Sequence, residues 1–171
     1  MKSLLTVLLI LLCSSSSFSQ SEYDKDVESI DSIIEALYAS ISGEKGEERD
    51  WDRFRNLFIP EAKLIPTGVN NQGVAGYSAW GVEEYIPRVK PFFLENGFIE
   101  TEVTKEVQRF RNVVHVFSTY QSKNTKEGEI IARGINSIQL YDDGNRWWVV
   151  SVFWASENEE NPIPAKYDQE K

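Results

Sequence analysis

Apolar residues occur at helical spacing in the early part of the chain. Hydrophobic side chains from Val27 to Ile41 recur every three or four positions, which predicts one amphipathic helix over residues 24–41. Gly43 and Gly46 follow this pattern, and glycine is typical of the positions at which helices end. The pattern therefore predicts a helix that buries a single stripe.

A second, shorter helix is expected after Asp50, whose side chain can cap the first helical turn. Trp51, Phe54 and Phe58 would share one face of this helix, and Pro60 would close it. A brief extended segment is predicted next, over residues 63–66.

The following thirty residues divide into a loop and a third helix. Residues 67–79 contain three glycines and two asparagines without a helical period, which predicts a long loop that is either a surface connection or the lid or rim of a site. Residues 80–96 return to a helical pattern rich in aromatic residues. Pro87 and Pro91 interrupt this pattern, so we expect a kink or a break there.

The period of the pattern changes to two after Phe98. Residues 98–110, 113–122, 129–141 and 146–155 are rich in β-branched and aromatic residues, which predicts four consecutive antiparallel strands. The Asp143-Gly144 step favours a tight turn between the last two strands.

Helices followed by a sheet predict an α+β fold in which the helices cover one face of a curved antiparallel sheet. If the last hairpin turns at Asp143-Gly144, Tyr141 lies opposite Arg146, and Arg133 lies opposite Trp154. Neither face of this hairpin is wholly polar. We therefore expect the helices to cover one face and a second subunit to cover part of the other.

The N-terminus is typical of a secretory signal peptide over residues 1–19. A basic start precedes nine largely aliphatic residues and then several serines, and cleavage is expected between Ser19 and Gln20. The apolar run is too short to span a bilayer, and no second run of about 18 residues follows. Cys13 offers a less favoured alternative, a lipoprotein signal, because Leu11 and Leu12 are bulky for such a site. We expect export to the periplasm or the medium.

Composition narrows the possible functions. The 171 residues include 27 acidic and 18 basic side chains, giving a net charge of −9, which argues against a nucleic-acid or anionic-membrane partner. With 41% hydrophobic and 12% aromatic residues, we expect one folded domain over residues 20–156 and a C-terminal tail over residues 157–171. After cleavage no cysteine remains, which excludes disulfides, thiolate nucleophiles and Cys-ligated zinc. The single histidine excludes a multi-histidine metal centre, and nothing in the sequence calls for a cofactor.

The order of predicted elements, with the segments FRNLFIPEAKLIPTG and RGINSIQLYDDGNRWWVVSVFW, resembles the nuclear transport factor 2-like superfamily over residues 24–156. The bacterial branch with SnoaL-like polyketide cyclases and ketosteroid isomerase-like domains is especially similar. The resemblance implies a cone in which a curved sheet wraps the first helix, an apolar pocket open at one end, and often a dimer packed sheet to sheet. The superfamily contains isomerases, dehydratases, epoxide hydrolases, cyclases and noncatalytic proteins, so the fold does not define a function.

The resemblance also implies where catalytic groups would lie. Isomerases of this kind carry a carboxylate base in the extended segment after the second helix and a tyrosine donor on the first helix. Tyr38 matches the donor, but Ile65 occupies the expected place of the base, which argues against that chemistry. Epoxide hydrolases need an arginine flanked by two aspartates, and neither Arg109 nor Arg133 has such neighbours.

His115 and Arg133 each have one functional and one purely structural interpretation. His115 is the weak catalytic candidate, a general base if an acid orients it and if it faces the pocket, and otherwise a histidine bonded within or on the sheet. Arg133 either stacks on Trp154 and anchors an anionic ligand group, or pairs with a carboxylate at the sheet rim. The full set of candidate pocket residues is Tyr38, Trp80, Tyr85, His115, Tyr120, Arg133, Asn136 and Trp154.

The sequence therefore favours an exported, cofactor-free domain that binds a small apolar molecule and lacks an evident catalytic set. One alternative is a cofactor-independent lyase or isomerase using His115 or a pocket carboxylate. A second alternative is a protein-interaction module that docks a partner through the sheet face. A homodimer formed through the sheet is compatible with each of them.

Overall fold

The structure, a computed structural model, describes residues 22–70 and 72–168. The predicted signal peptide and Cys13 lie outside these residues. In the described part, no helix is long and apolar enough to cross a lipid bilayer.

The first helical segment begins later than the pattern predicts. A 3-10 helix covers Asp24–Val27, and α1 covers Ile30–Ile41. The Ser29 side chain accepts a hydrogen bond from the Ser32 backbone N–H at 3.0 Å, and the Ser32 hydroxyl accepts one from the Ser29 N–H. This reciprocal cap starts a new helix, so the single helix predicted over residues 24–41 is divided in two.

The second helix is shorter than predicted. Asp50 caps α2 (Trp51–Asn56), but Phe58 already belongs to strand β1 (Phe58–Val69), where it pairs with Val149. Phe54 and Phe58 still pack together, with ring centres 4.7 Å apart. The prediction that Pro60 ends the helix is therefore wrong, since the chain turns into the sheet before Phe58.

Much of the predicted loop over residues 67–79 is a hairpin. Strand β1 continues to Val69, and β2 (Ala75–Tyr77) pairs back antiparallel to it. The Asn70 side chain accepts hydrogen bonds from the Gln72 and Val74 backbone N–H groups, and Gly73 adopts a φ of 76°. These turn residues allow two strands where the pattern indicated irregular chain.

Helix α3 (Val82–Asn96) runs through Pro87 and Pro91 without a break. The two prolines are four residues apart and exposed, on the same side of the helix as Glu83. Because proline has no N–H, the carbonyls of residues 83 and 87 lack an intrahelical donor, and on this exposed side they can bind water instead. The predicted break therefore does not occur.

The second half of the chain forms the predicted strands: β3 (Ile99–Phe110), β4 (Val113–Lys123), β5 (Ile130–Asp142) and β6 (Trp147–Ser156). The six described strands form one sheet in the order β2-β1-β6-β5-β4-β3, and only the β1–β6 pair is parallel. The sheet curves without closing, so the predicted α+β cone is confirmed.

The register of the β5–β6 hairpin differs from the prediction. Tyr141 lies opposite Trp148, and an irregularity at Gln139 shifts the pairing further, so Trp154 lies opposite Asn136 rather than Arg133. Val149 and Val152 are both buried although they are three residues apart. A bulge breaks the strict alternation of faces, and sequence alternation alone does not locate it.

Helix α1 packs into the concave face of the sheet. Ile33 and Ile34 of the helix are buried, as are Val116, Ile138 and Val149 of the sheet. This burial supplies the main apolar core. The core is closed at one end of α1, where the buried guanidinium of Arg49 donates hydrogen bonds to several backbone carbonyls, including those of Ile41 at 3.2 Å and Gly43 at 2.7 Å.

Strands β5 and β6 approach closely at Gly134. A Cβ atom at this position would lie 2.6 Å from the Tyr120 hydroxyl and would also clash with the Ala155 carbonyl oxygen. Only glycine leaves room for this approach.

The outer face of the sheet is partly covered by the chain's own tail. The Thr119 hydroxyl donates to the Tyr167 carbonyl at 2.5 Å, and the rings of Phe117 and Tyr167 lie 4.9 Å apart. Arg133 forms ion pairs with Glu157 and Asp168. The tail thus covers a part of the face that we expected a second subunit to cover, and the homodimer stays a prediction.

Candidate functional site

A cavity of about 220 Å³ lies between the helices and the concave face of the sheet. Helices α1 and α3, strands β1 and β6, and the start of β3 form most of its wall. The wall residues are apolar or aromatic except at one end. They are Leu37, Tyr38, Ile41, Phe54, Leu64, Pro66, Trp80, Tyr85, Val89, Phe93, Phe98, Glu100, Asn136, Val152 and Trp154.

Aromatic rings in the wall support one another. The Tyr85 ring centre lies 6.5 Å from that of Trp80 and 6.4 Å from that of Trp154. Phe93 and Phe98 are stacked, with ring centres 4.5 Å apart. Because each ring is held by a neighbour on a different element, the wall is preorganised for a flat or compact apolar group.

A hydrogen-bond chain forms the polar end of the cavity. The Asn136 amide nitrogen donates to the Tyr38 hydroxyl at 3.1 Å and to Glu100 Oε1 at 3.2 Å. Tyr38 lies 2.7 Å from the Ser118 hydroxyl, which in turn donates to Glu102 Oε1 at 2.7 Å. Because the Ser118 proton goes to that carboxylate, the Tyr38 hydroxyl donates its own proton to Ser118.

Glu100 is the ionisable group of this hydrogen-bond network that remains available to a ligand. Its Oε2 atom has no hydrogen-bond partner among residues 22–70 and 72–168, and its side chain lines the cavity. Burial raises the pKa of the Glu100 carboxyl from 4.5 to about 7, although the hydrogen bond from Asn136 opposes the shift. Burial also raises the pKa of the Tyr38 and Tyr85 hydroxyls, which therefore stay protonated.

Five of the candidate residues predicted from the sequence meet at this cavity: Tyr38, Trp80, Tyr85, Asn136 and Trp154. Tyr120 is buried but lies outside the wall, and its hydroxyl is 3.0 Å from that of Ser156. Its contact with a ligand stays a prediction that this cavity does not support.

His115 and Arg133 also lie outside the cavity wall. The His115 Nε2 atom is 2.9 Å from the Ser137 hydroxyl, beside the tail residues Lys166 and Tyr167 on the outer face. Arg133 pairs with carboxylates of the tail. Strand alternation turns both side chains away from the cavity. The catalytic role of His115 and the ligand contact of Arg133 stay predictions that this cavity does not support.

Glu100 is the site residue that sequence reasoning missed. It lies at the start of β3 among Glu102, Lys105 and Glu106, in a segment that reads as a solvated strand. Its one sequence signal is its place two residues after Phe98, which also lines the cavity. On β1, Leu64 and Pro66 line the cavity while Ile65 lies outside its wall, so this strand offers no carboxylate to it.

Within the described ranges, no group of three or more His, Cys, Asp or Glu side chains is placed to hold a metal ion.

Comparison with solved structures defines the class of fold. A Nostoc punctiforme protein with a cystatin-like fold is similar at a TM-score of 0.56 and 11% identity, over 74% of this chain and 90% of that one. A candidate ketosteroid isomerase from Parabacteroides distasonis is similar at a TM-score of 0.53 and 12% identity, over 80% and 98%. A candidate calcium/calmodulin-dependent protein kinase II association domain from Xanthomonas campestris gives 0.55 and 15%, over 76% and 86%.

The chain therefore shares the fold of these proteins, and this is the fold that the resemblance in sequence to the nuclear transport factor 2-like superfamily implied. No protein-family model and no curated protein matches the sequence. At these identities the likeness defines the fold, and the function has to be argued from the cavity.

Proposed function

We propose that this chain is a small-molecule-binding domain whose ligand lies in the aromatic cavity with a polar group against Glu100. The observation that carries the proposal is a hollow of about 220 Å³ whose one carboxyl group, that of Glu100, keeps an oxygen without a hydrogen-bond partner among residues 22–70 and 72–168. An apolar cavity of about 150 Å³ is already large enough to bind benzene. The volume here suits a substituted ring or a fused pair of rings.

The hydrogen-bond directions favour binding over isomerase chemistry. A ketosteroid isomerase-like enzyme would use the Tyr38 hydroxyl as the hydrogen-bond donor to a developing oxyanion. Here the Tyr38 hydroxyl already donates its proton to Ser118. No carboxylate of β1 faces the cavity to act as the base. Export of the chain is part of the same proposal and rests on the sequence of residues 1–19 alone.

A cavity-filling variant tests the binding proposal. Val89 is a wall residue on α3, and Val89→Trp should fill part of the hollow, whereas Val107→Trp adds the same group at an exposed position outside the wall. Small aromatic and alicyclic compounds are screened by thermal shift, since a ligand of the folded state raises Tm with its concentration. We expect stabilisation of the parent and Val107→Trp proteins but not of Val89→Trp. Equal stabilisation of all three, or of none, would contradict the proposal.

A cofactor-independent isomerase or lyase is the second candidate, because a carboxyl with a pKa of about 7 is well matched to proton transfer near neutral pH. Glu100 rather than His115 would then be the catalytic residue. The test is deuterium incorporation next to the carbonyl of cyclohexanone in D2O, followed by NMR. Exchange that the protein accelerates and Glu100→Gln abolishes would support catalysis, and exchange at the buffer rate would exclude it for this substrate.

A further inference from the structure

We infer that the ligand of this cavity is a hydrophobic amine, bound as its ammonium ion against Glu100 and the aromatic wall. This inference rests on the proposed function and names the chemical class of its ligand.

The charges of the cavity wall are the first argument. Glu100 is the one carboxyl group among the wall residues, and none of these residues is Lys, Arg or His. Its Oε2 atom has no protein partner in the described part of the chain. Glu100 is only partly exposed, and an ionised carboxylate in such a site without a paired cation is costly, so a ligand that carries the missing positive charge reduces that cost.

The direction of the hydrogen bonds is the second argument. Asn136 commits both protons of its amide nitrogen, one to Tyr38 and one to Glu100, and Tyr38 commits its proton to Ser118. Two acceptor atoms of this network remain without a donor in the described part of the chain, Glu100 Oε2 and the Asn136 amide oxygen. The Tyr85 hydroxyl nearby can donate or accept. A ligand that donates, as an ammonium group does, fits this end better than an anion or a carbonyl.

The aromatic wall is the third argument. Trp80 lies just before α3, Tyr85 on α3 and Trp154 on β6, and all three line the hollow. Ring faces attract cations, most strongly when the cation is removed from water. Trp80 already shows this preference, since the Arg88 guanidinium lies 5.2 Å from its ring centre.

The negative charge near the cavity also favours a cationic ligand. A groove between α1 and β3 shares Tyr38 and Glu100 with the cavity and is also lined by Asp31, Glu35 and Glu102. Lys105, the cation of this groove, pairs with Asp31 at 3.1 Å and with Glu102 at 2.7 Å. The groove therefore keeps a negative balance, which raises the local concentration of cations and repels carboxylate ligands.

Three probes of nearly equal size separate the ligand classes: 2-phenylethylamine, 2-phenylethanol and phenylacetate. Binding is followed by NMR through the tryptophan indole N–H signals of the parent protein, Glu100→Gln and the matched surface control Glu129→Gln. At pH 8 we expect the amine to bind at least 10-fold more tightly than the alcohol, and phenylacetate more weakly than both. Glu100→Gln should weaken the amine at least 10-fold and leave the alcohol within 3-fold, while Glu129→Gln changes neither.

The pH dependence of the parent protein tests the inference without a variant. An alkylammonium stays charged between pH 5.5 and 8.5, whereas the Glu100 carboxylate gains a proton as the pH falls from 8.5 to 5.5. The amine should therefore lose affinity by about 30-fold from pH 8.5 to 5.5, and the alcohol should not change.

The outcomes distinguish the two proposals. If the alcohol binds as tightly as the amine, or if amine binding is independent of pH and of Glu100, the amine inference is overturned while the binding function stands. If none of the three probes binds, the amine inference falls. If the wider compound screen also fails, the proposed function falls with it.

Discussion

Replacing Glu100 by Gln should stabilise the folded protein, and increasingly so as the pH rises. Gln keeps the shape of the side chain and an oxygen that accepts the hydrogen bond from Asn136, but it cannot ionise. Burial raises the pKa of Glu100 from 4.5 to about 7, so the folded protein holds this proton more tightly than the unfolded chain does. The stability that this proton contributes is complete below pH 4.5 and is lost as the pH rises through about 7.

The magnitude follows from the same pKa values. Fully ionising Glu100 in the folded state costs about 3 kcal/mol, since each pKa unit corresponds to about 1.4 kcal/mol. Glu100→Gln should therefore be more stable than the parent by about 1 kcal/mol at pH 5.5 and by about 3 kcal/mol at pH 8.5. Urea unfolding of both proteins across this range, with Glu129→Gln as the surface control, measures the difference. A difference that is constant with pH, or a Gln variant that is less stable at pH 8.5, would refute the buried-carboxyl argument.

Three further substitutions test the packing around the site, each by urea unfolding. Arg49→Lys should cost about 2 to 4 kcal/mol, because an ammonium cannot reach the carbonyls that the buried guanidinium bridges; an unchanged midpoint would contradict this role. Gly134→Ala should cost at least about 2 kcal/mol through the clash between β5 and β6, whereas Gly76→Ala, which meets no atom within 4 Å, should have little effect. Tyr167→Ala should cost about 1 to 2 kcal/mol by uncovering the outer sheet face, whereas the largely exposed Tyr77→Ala should not; equal effects within either pair would refute the contact concerned.

Most of the fold was predictable because the apolar period changes once along the chain. A 3.6-residue period before Phe98 and a two-residue period after it identified α1, α3 and all four strands from β3 to β6. Boundaries failed where a local hydrogen bond outweighed the pattern. The Ser29 cap and the turn at Asn70 are such cases, since side-chain capping of backbone groups has no apolar signature.

The candidate site was predictable in its walls but not in its chemistry. Aromatic residues such as Trp80, Tyr85 and Trp154 were identified because large rings bury much apolar area and are therefore candidates for a core or a cavity wall. His115 and Arg133 were placed among the pocket residues because the sequence did not show which face of the sheet lines the cavity, and both side chains lie on the other face. Alternation along one strand divides its side chains into two sets, but it does not show which set faces the helices.

The sequence by itself determined the class of fold, the charge that disfavours a nucleic-acid partner, and the expectation of export. Each of these depends on local composition or on the period of one segment. Tertiary structure alone decided that Glu100 faces an aromatic hollow, that Asn136 joins it to Tyr38, and that the tail lies on the outer face of the sheet. These contacts join residues far apart in the chain, and the pKa of Glu100 depends on how completely the folded protein excludes water from it.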